Sequence, residues 1–307
     1  MTAVAETIHT LADLATWSLP GTALAVVGHP IAHSLSPVIH NAALAELART
    51  EPRFRDWRYH KFDIAPGDLP AALAAFHRLN FRGLNLTVPH KSLVVDHLAK
   101  SDSFVQAAGA ANTITFFGDG WHGANTDGYG LTNSLQQELG ASLAGAQVIL
   151  LGAGGAGRGA AVECLRARCA ALWIGNRTAA SLAALLAELQ PLAGATNLQG
   201  FDLVKPPAAL PVGAIVINAT SLGLKAEDSA PLDLRQIPRP GWVMDMIYRP
   251  ARTALLRQAA ELGVPHASGL AMLVHQGARS LEIWTGAKVP VAVMQAAASA
   301  ALDSSPV

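Results

Sequence analysis

Ser34 and Ser36 lie in the segment GHPIAHSLSP, residues 28–37, between an apolar run and a helix-like run. If that segment is extended, side chains alternate with period two and both hydroxyls aim the same way. Two hydroxyls aimed together suit a carboxylate. Helix capping explains Ser36 as well, because Pro37 follows at a first helical position, and the residues alone leave the two readings level. A second polar cluster, GLNLTVPHK at residues 83–91, ends an apolar strand with Asn85 and Thr87 on one face and carries Lys91 just beyond it. Ligands in open α/β sheets bind beyond the carboxyl ends of strands, which puts Lys91 where chemistry happens; its alternative is an ordinary surface lysine. Asn112-Thr113 and the segment NTDG, residues 125–128, form a third cluster. There Asp127 stands just before a helix, which it could simply cap.

Residues 147–157 read QVILLGAGGAG. An apolar strand runs into Gly152-x-Gly154-x-x-Gly157, and an Ala-rich helix follows. The first glycine makes the turn, the second lets the backbone approach a pyrophosphate, and the third lets helix and strand pack closely. The helix N-terminus then offers unpaired N–H groups to phosphates. The next strand ends at Asn176-Arg177-Thr178, where an NAD site usually carries an acid for the ribose 2′-hydroxyl. Arginine there can hold a 2′-phosphate through charge-assisted hydrogen bonds and stack on adenine, so the expected cofactor is NADP. A solvated loop arginine is the plainer alternative.

The elements that must position these groups alternate along the chain. Strands are expected near Leu24–Val27, Trp57–Ile64, Gly83–Val88, Asn112–Phe117 and Trp121–Ala124, with helices over Pro37–Leu47 and Leu69–Leu79. A second series places strands at Gln147–Leu151, Ala171–Ile174, Ala214–Asn218 and Trp242–Met246, and helices at Ala156–Arg166 and Ala179–Leu189. Two helices, Leu270–Thr285 and Val291–Leu302, close the chain. The alternation predicts α/β architecture with mainly parallel sheets. Residues 1 to about 21 read as a helical extension ending at Pro20-Gly21.

Composition narrows the function classes. The 307 residues carry 22 Lys+Arg against 22 Asp+Glu, without the basic footprint that phosphate neutralisation demands, so nucleic-acid binding is not expected. Glu6 and Asp13 interrupt the N-terminal run and no long uninterrupted apolar stretch occurs, so neither a signal peptide nor a membrane span is expected. Cys164 and Cys169 read as buried thiols, which fits a reducing cytoplasm. The histidines lack metal-ligand spacing, and His33 and His40 read as loop and helix polar groups.

Together GHPIAHSLSP, GLNLTVPHK, GAANT, NTDGYG, GAGGAG, NRT, NATSLG, DMIYRP and GLAMLVHQGARSLEIWTG resemble the shikimate dehydrogenase family over nearly the whole chain after residue 21. The resemblance implies a substrate-binding α/β domain, residues 22–127 plus 270–307, and a Rossmann-type NADP domain, residues 128–269. It implies an active site in the cleft between them and returning C-terminal helices. It implies Lys91 and Asp127 as the catalytic pair, with Ser34, Ser36 and Tyr248 on the substrate carboxylate. Asn85, Thr87, Asn112 and Gln276 would meet ring hydroxyls. Gly152, Ala153, Gly154, Gly155, Ala156, Asn176, Arg177 and Thr178 would hold phosphates and adenosine, and Thr220, Met246 and Gly269 would lie near the nicotinamide half. The implied partner is shikimate or 3-dehydroshikimate, on a monomer or homodimer. Family members often carry a second basic residue shortly after NRT; here Ser181 stands there, which weakens the expected NADP preference. A quinate/shikimate or amino-shikimate dehydrogenase is the nearest alternative activity, and a non-catalytic NADP or metabolite sensor is the alternative of another class.

Overall fold

The computed structural model describes residues 7–18 and 20–303. The chain divides into two compact units. One runs to Thr126 and resumes at Gln276; the other spans Asp127–His275.

The first unit is built on a seven-stranded sheet: β1 (Ile8–His9), β2 (Thr22–Gly28), β3 (Trp57–Asp63), β4 (Gly83–Leu86), β5 (Lys100–Ser101), β6 (Thr113–Phe117) and β7 (Gly120–Ala124). The spatial order is β1-β3-β2-β4-β6-β7-β5. β1, β3, β2 and β4 run parallel, while β6 is antiparallel to β4 and to β7. Its helices are α1 (Ser36–Thr50), α2 (Leu69–Arg78), α3 (His90–Leu93) and α4 (Ser103–Ala108). Phe62, Phe76, Phe81, Leu84, Ile114 and Trp121 fill the core against α2. Side chains of β3 alternate, so Tyr59 turns the other way and stacks on His40 of α1, centroids 4.0 Å apart.

The second unit follows with α5 (Asp127–Leu139), β8 (Gln147–Leu151), α6 (Gly155–Arg166), β9 (Ala171–Asn176), α7 (Ala179–Leu189), β10 (Asn197–Asp202), β11 (Ile215–Asn218), β12 (Trp242–Asp245), α8 (Ala254–Glu261) and β13 (His266–Ser268). Its six strands are all parallel, in the order β10-β9-β8-β11-β12-β13. This is the doubly wound dinucleotide-binding order, with its switch point between β8 and β11. Strands buried on both faces read as continuous apolar runs, which is why Ile149, Leu150, Leu151 and Ile215, Val216, Ile217 are buried throughout. The last helices are α9 (Leu270–Thr285) and α10 (Val291–Asp303); the boundary between units falls inside α9. In the first unit Trp284 of α9 donates to the Ile114 carbonyl (3.1 Å). A Cβ at Gly83 would lie 2.1 Å from that indole, so only glycine opens β4 there.

The helical extension does not survive. Ile8–His9 adds a parallel strand to β3, and Ala12–Ala15 is one 3₁₀ turn that buries Leu14 beside Phe62. The Asp13 carboxylate accepts from Thr10 N (2.6 Å) and Oγ (2.9 Å), closing a turn where a helix would need a continuous apolar stripe. Residues 1–6 and 19, also read as part of that extension, lie outside the described residues. Both cysteines are free and buried, and burial pushes the Cys164 thiol up. Among the described residues no helix is long and apolar enough to cross a membrane, and no cluster of His, Cys, Asp and Glu could hold a metal ion.

His40 is fully buried, with its Nδ1 against the Ser36 carbonyl (2.7 Å), and burial holds its pKa at about 4, below the ordinary 6.5. The unfolded chain therefore takes up a proton that the folded chain refuses, and stability falls as pH drops from 6.5 toward 4, by about 3 kcal/mol at most from this group. Denaturant midpoints at pH 7 and pH 4.5 should show this loss, and His40→Leu should flatten it; an unchanged pH slope would contradict the assignment.

Candidate functional site

The serine-bearing loop follows β2 and the lysine-bearing loop follows the adjacent parallel strand β4. Backbone bonds join them: Thr87 N donates to Val27 O (3.0 Å) and His29 N to Val88 O (3.1 Å). The Thr87 methyl covers Gly28, where a Cβ would approach it to 2.5 Å. Within this unit, Ser34, Ser36, Thr87 and Lys91 thus gather at the carboxyl ends of neighbouring strands.

The serine loop is not extended. Leu35 is right-handed helical, Ser36 is the first residue of α1, and Ser34 Oγ accepts from Ser36 N (3.3 Å). Strand alternation therefore does not relate the two hydroxyls, and Ser36 is not the cap of α1. The loop is instead fastened to β3, whose Tyr59-bearing face presents Lys61 to the Ala32 and Ser34 carbonyls (3.1 and 3.4 Å) and Asp63 to His29 Nδ1 (2.6 Å). Lys91 is half-buried in α3, and its carbonyl accepts from Ala111 N (2.8 Å), which ties it to the GAANT segment.

Asn85 and Asn112 turn inward. Asn85 Oδ1 accepts from the Tyr59 hydroxyl (2.7 Å), and its Nδ2 donates to Asn112 O (3.0 Å), Thr113 Oγ1 (3.2 Å) and Ser280 Oγ (3.0 Å). Asn112 Oδ1 accepts from Thr126 N (2.8 Å), and its Nδ2 donates to Thr126 Oγ1 (2.9 Å) and to Gln276 Oε1 (3.2 Å). This buried network fixes the peptide that precedes Asp127. Asp127 itself is half-exposed and opens α5 as its first residue. Thr113 and Thr126 belong to the third polar cluster of the sequence, whereas Ser280 was not singled out there; its hydroxyl inside the last motif was the signal available.

In the second unit Gly152 has φ +107°, and a Cβ there would lie 3.0 Å from the Thr220 methyl. A Cβ on Gly157 would lie 2.1 Å from Gly152 O, so the third glycine lets α6 close on β8. At Gly154 and Gly155 a Cβ would meet nothing within 4 Å. That open space at the start of α6, with Ala153 and Ala156 on either side, fits a pyrophosphate on backbone N–H groups. Asn176 braces this turn: its Oδ1 accepts from Ala153 N (3.2 Å), and its Nδ2 donates to Thr178 O (3.0 Å). Arg177 is exposed beside Thr178, the residue preceding α7, and lines a cavity with Asn176, Leu182, Phe201 and Asp202. The residues present fit a dinucleotide bearing a 2′-phosphate.

Two motifs hold the loops after β11 and β12. Asn218 Oδ1 accepts from Thr220 N (2.9 Å) and Oγ1 (2.8 Å), and its Nδ2 donates to the Asp245 carboxylate (3.0 Å). Asp245 also accepts from Thr253 Oγ1 (2.6 Å) and Ile247 N (3.0 Å); burial raises its pKa against these bonds. Met246 N donates to Asn218 O (3.0 Å), and a Cβ at Gly269 would strike the Met246 carbonyl at 2.1 Å. Thr220, Met246 and Gly269 are thereby held together at the ends of β11, β12 and β13. Tyr248 follows on the same loop, and burial keeps its hydroxyl protonated well into alkaline pH.

Comparison with known proteins agrees with this layout. The family model for the shikimate dehydrogenase substrate binding domain matches residues 26–114, and that for the shikimate 5′-dehydrogenase C-terminal domain matches residues 269–298. The chain is 41% identical to the shikimate dehydrogenase (NADP(+)) of Symbiobacterium thermophilum over 293 residues, covering 94% of this chain and 97% of that one. The crystal structure of shikimate 5-dehydrogenase from Thermus thermophilus in complex with NADP(H) and shikimate matches with TM-score 0.81 at 35% identity, covering 92% of this chain and 100% of that one. A ligand-free 5-ketofructose reductase of a Gluconobacter species matches with TM-score 0.81 at 30% identity, over 92% of this chain and 100% of its own. On the identity and coverage of these relatives, the chain belongs to the shikimate dehydrogenase family.

Proposed function

We propose that this protein reduces 3-dehydroshikimate to shikimate with NADPH and runs the same steps backward. The observation that carries this reading is the joining of two loops at the ends of β2 and β4. One bears Ser34 and Ser36 for a carboxylate and the other bears Lys91 for a carbonyl oxygen. Bound NADPH supplies the hydride. As negative charge grows on the C3 oxygen, Lys91 stabilises it and supplies its proton, with Asp127 as its acid–base partner. Ser34, Ser36 and the protonated Tyr248 hydroxyl hold the carboxylate; Thr87 and Gln276, with Asn85 and Asn112 behind them, order the ring hydroxyls. Gly152 through Ala156 hold the pyrophosphate, Asn176, Arg177 and Thr178 the adenosine half, and Thr220, Met246 and Gly269 border the nicotinamide half. We place substrate binding in the first unit and cofactor binding in the second, in a chain that works in the cytoplasm as a monomer or homodimer without nucleic-acid or membrane partners.

Purified protein should form NADPH from shikimate and NADP+. Lys91→Ala should lower that turnover by roughly 10²–10⁴-fold while NADPH binding persists. A chain that binds NADPH but never turns over would instead be a sensor, and intact turnover in Lys91→Ala would remove the lysine from the mechanism.

Arg177→Ala should cost NADPH about 1.5–3 kcal/mol of binding and leave NADH nearly untouched. The ratio of kcat/KM for the two cofactors measures this directly; an unchanged ratio would assign the 2′-phosphate to other groups.

A further inference from the structure

Among the described residues of the first unit Lys61 is the buried lysine, 5% exposed in the middle of β3. A long cationic side chain is rarely buried without a purpose. Its Nζ donates to Ala32 O at 3.1 Å and to Ser34 O at 3.4 Å, so it reaches the loop at the serine itself and two residues before it. A trans peptide points its C=O and N–H in opposite directions. Drawing these two carbonyls toward Lys61 turns their negative ends away from whatever Ser34 faces and presents the N–H groups of His33 and Leu35 on the opposite side. Two residues further along the same face of β3, Asp63 fixes His29 at the start of the loop. Lys61 thus sets a cation against the Ala32 and Ser34 carbonyls, while the Asp63 carboxylate is engaged with His29 at the start of the loop.

We propose that Lys61 is a positioning and specificity-determining residue that commits the serine loop to an anionic carboxylate rather than to an uncharged polyol. It does not touch substrate. It orients the loop carbonyls and adds a buried positive charge beside Ser34. The inference rests on the reading that these serines bind the carboxylate.

The test compares shikimate with its methyl ester, which keeps the ring and loses the charge. Lys61→Gln retains N–H donors for both carbonyls and removes the cation. KM for shikimate should rise roughly 10- to 50-fold with kcat little changed, the pattern for uniform binding lost, while KM for the ester stays near the wild-type value. Lys61→Arg should restore most of the acid preference. Wild-type-like acid preference in Lys61→Gln would overturn the proposal, as would loss of folding in that variant, which would make the residue structural. Ser34→Ala/Ser36→Ala separates the two layers. If the serine pair keeps full acid preference, the carboxylate reading itself falls; if the serine pair loses it and Lys61→Gln does not, only the role of Lys61 falls.

Discussion

The Asn112 side chain, 2% exposed, carries the constraint on which the first unit's chemistry depends. One amide holds the backbone N–H of Thr126, the hydroxyl of Thr126 and the amide of Gln276. It thereby fixes the chain one peptide before Asp127 and the start of the C-terminal return. Asn85 sits beneath it and anchors the Asn112 carbonyl, with Tyr59 and Ser280 completing its bonds. Buried amides are costly unless every donor and acceptor is engaged. When they are engaged they admit one geometry, which is what a site built from several separate segments needs.

The second unit repeats the device with other residues. Asn218 and Asp245, both fully buried, join the ends of β11 and β12 and fix the loops that carry Thr220, Met246 and Tyr248. The glycine-rich turn relies on it less, with the Asn176 amide as its brace. Its shape follows from close approach: Gly157 lets the helix close on the strand, and Gly154 and Gly155 leave room for a ligand. Polar networks thus set the loops that must aim side chains, and missing side chains set the loop that must receive phosphates.

Much of this was legible in the sequence for physical reasons. β8, α7 and α9 have the bounds expected from periodicity, because buried parallel strands and strongly periodic helices carry the clearest patterns. β10 was missed because NLQGFD has few β-formers and joins the sheet edge through backbone pairing with β9. β13, at three residues, is too short to show a period; α8 was not expected although Leu255, Leu256 and Ala259 give it a clear buried face. At the site, the types and order of Ser34, Ser36, Lys91 and the glycines were readable, because reactive chemistry restricts residue type. What Asn85 and Asn112 do was not. A polar residue at a strand end looks the same whether it faces a ligand or the interior, and only the three-dimensional partners decide. Lys61 likewise reads as one polar position of an alternating strand until the Ala32 and Ser34 carbonyls appear opposite it.

The claim that a buried amide network sets the reactive geometry is tested most directly by the turnover of Asn112→Ala, measured beside its NADPH affinity. Removing the amide leaves the Thr126 N–H without its acceptor and loosens the segment leading to Asp127. A misplacement of that kind costs on the order of 10²-fold in rate. The account predicts such a loss in kcat with NADPH affinity unchanged, because the glycine-rich turn belongs to the other unit. Turnover close to wild type in a folded Asn112→Ala protein would contradict it.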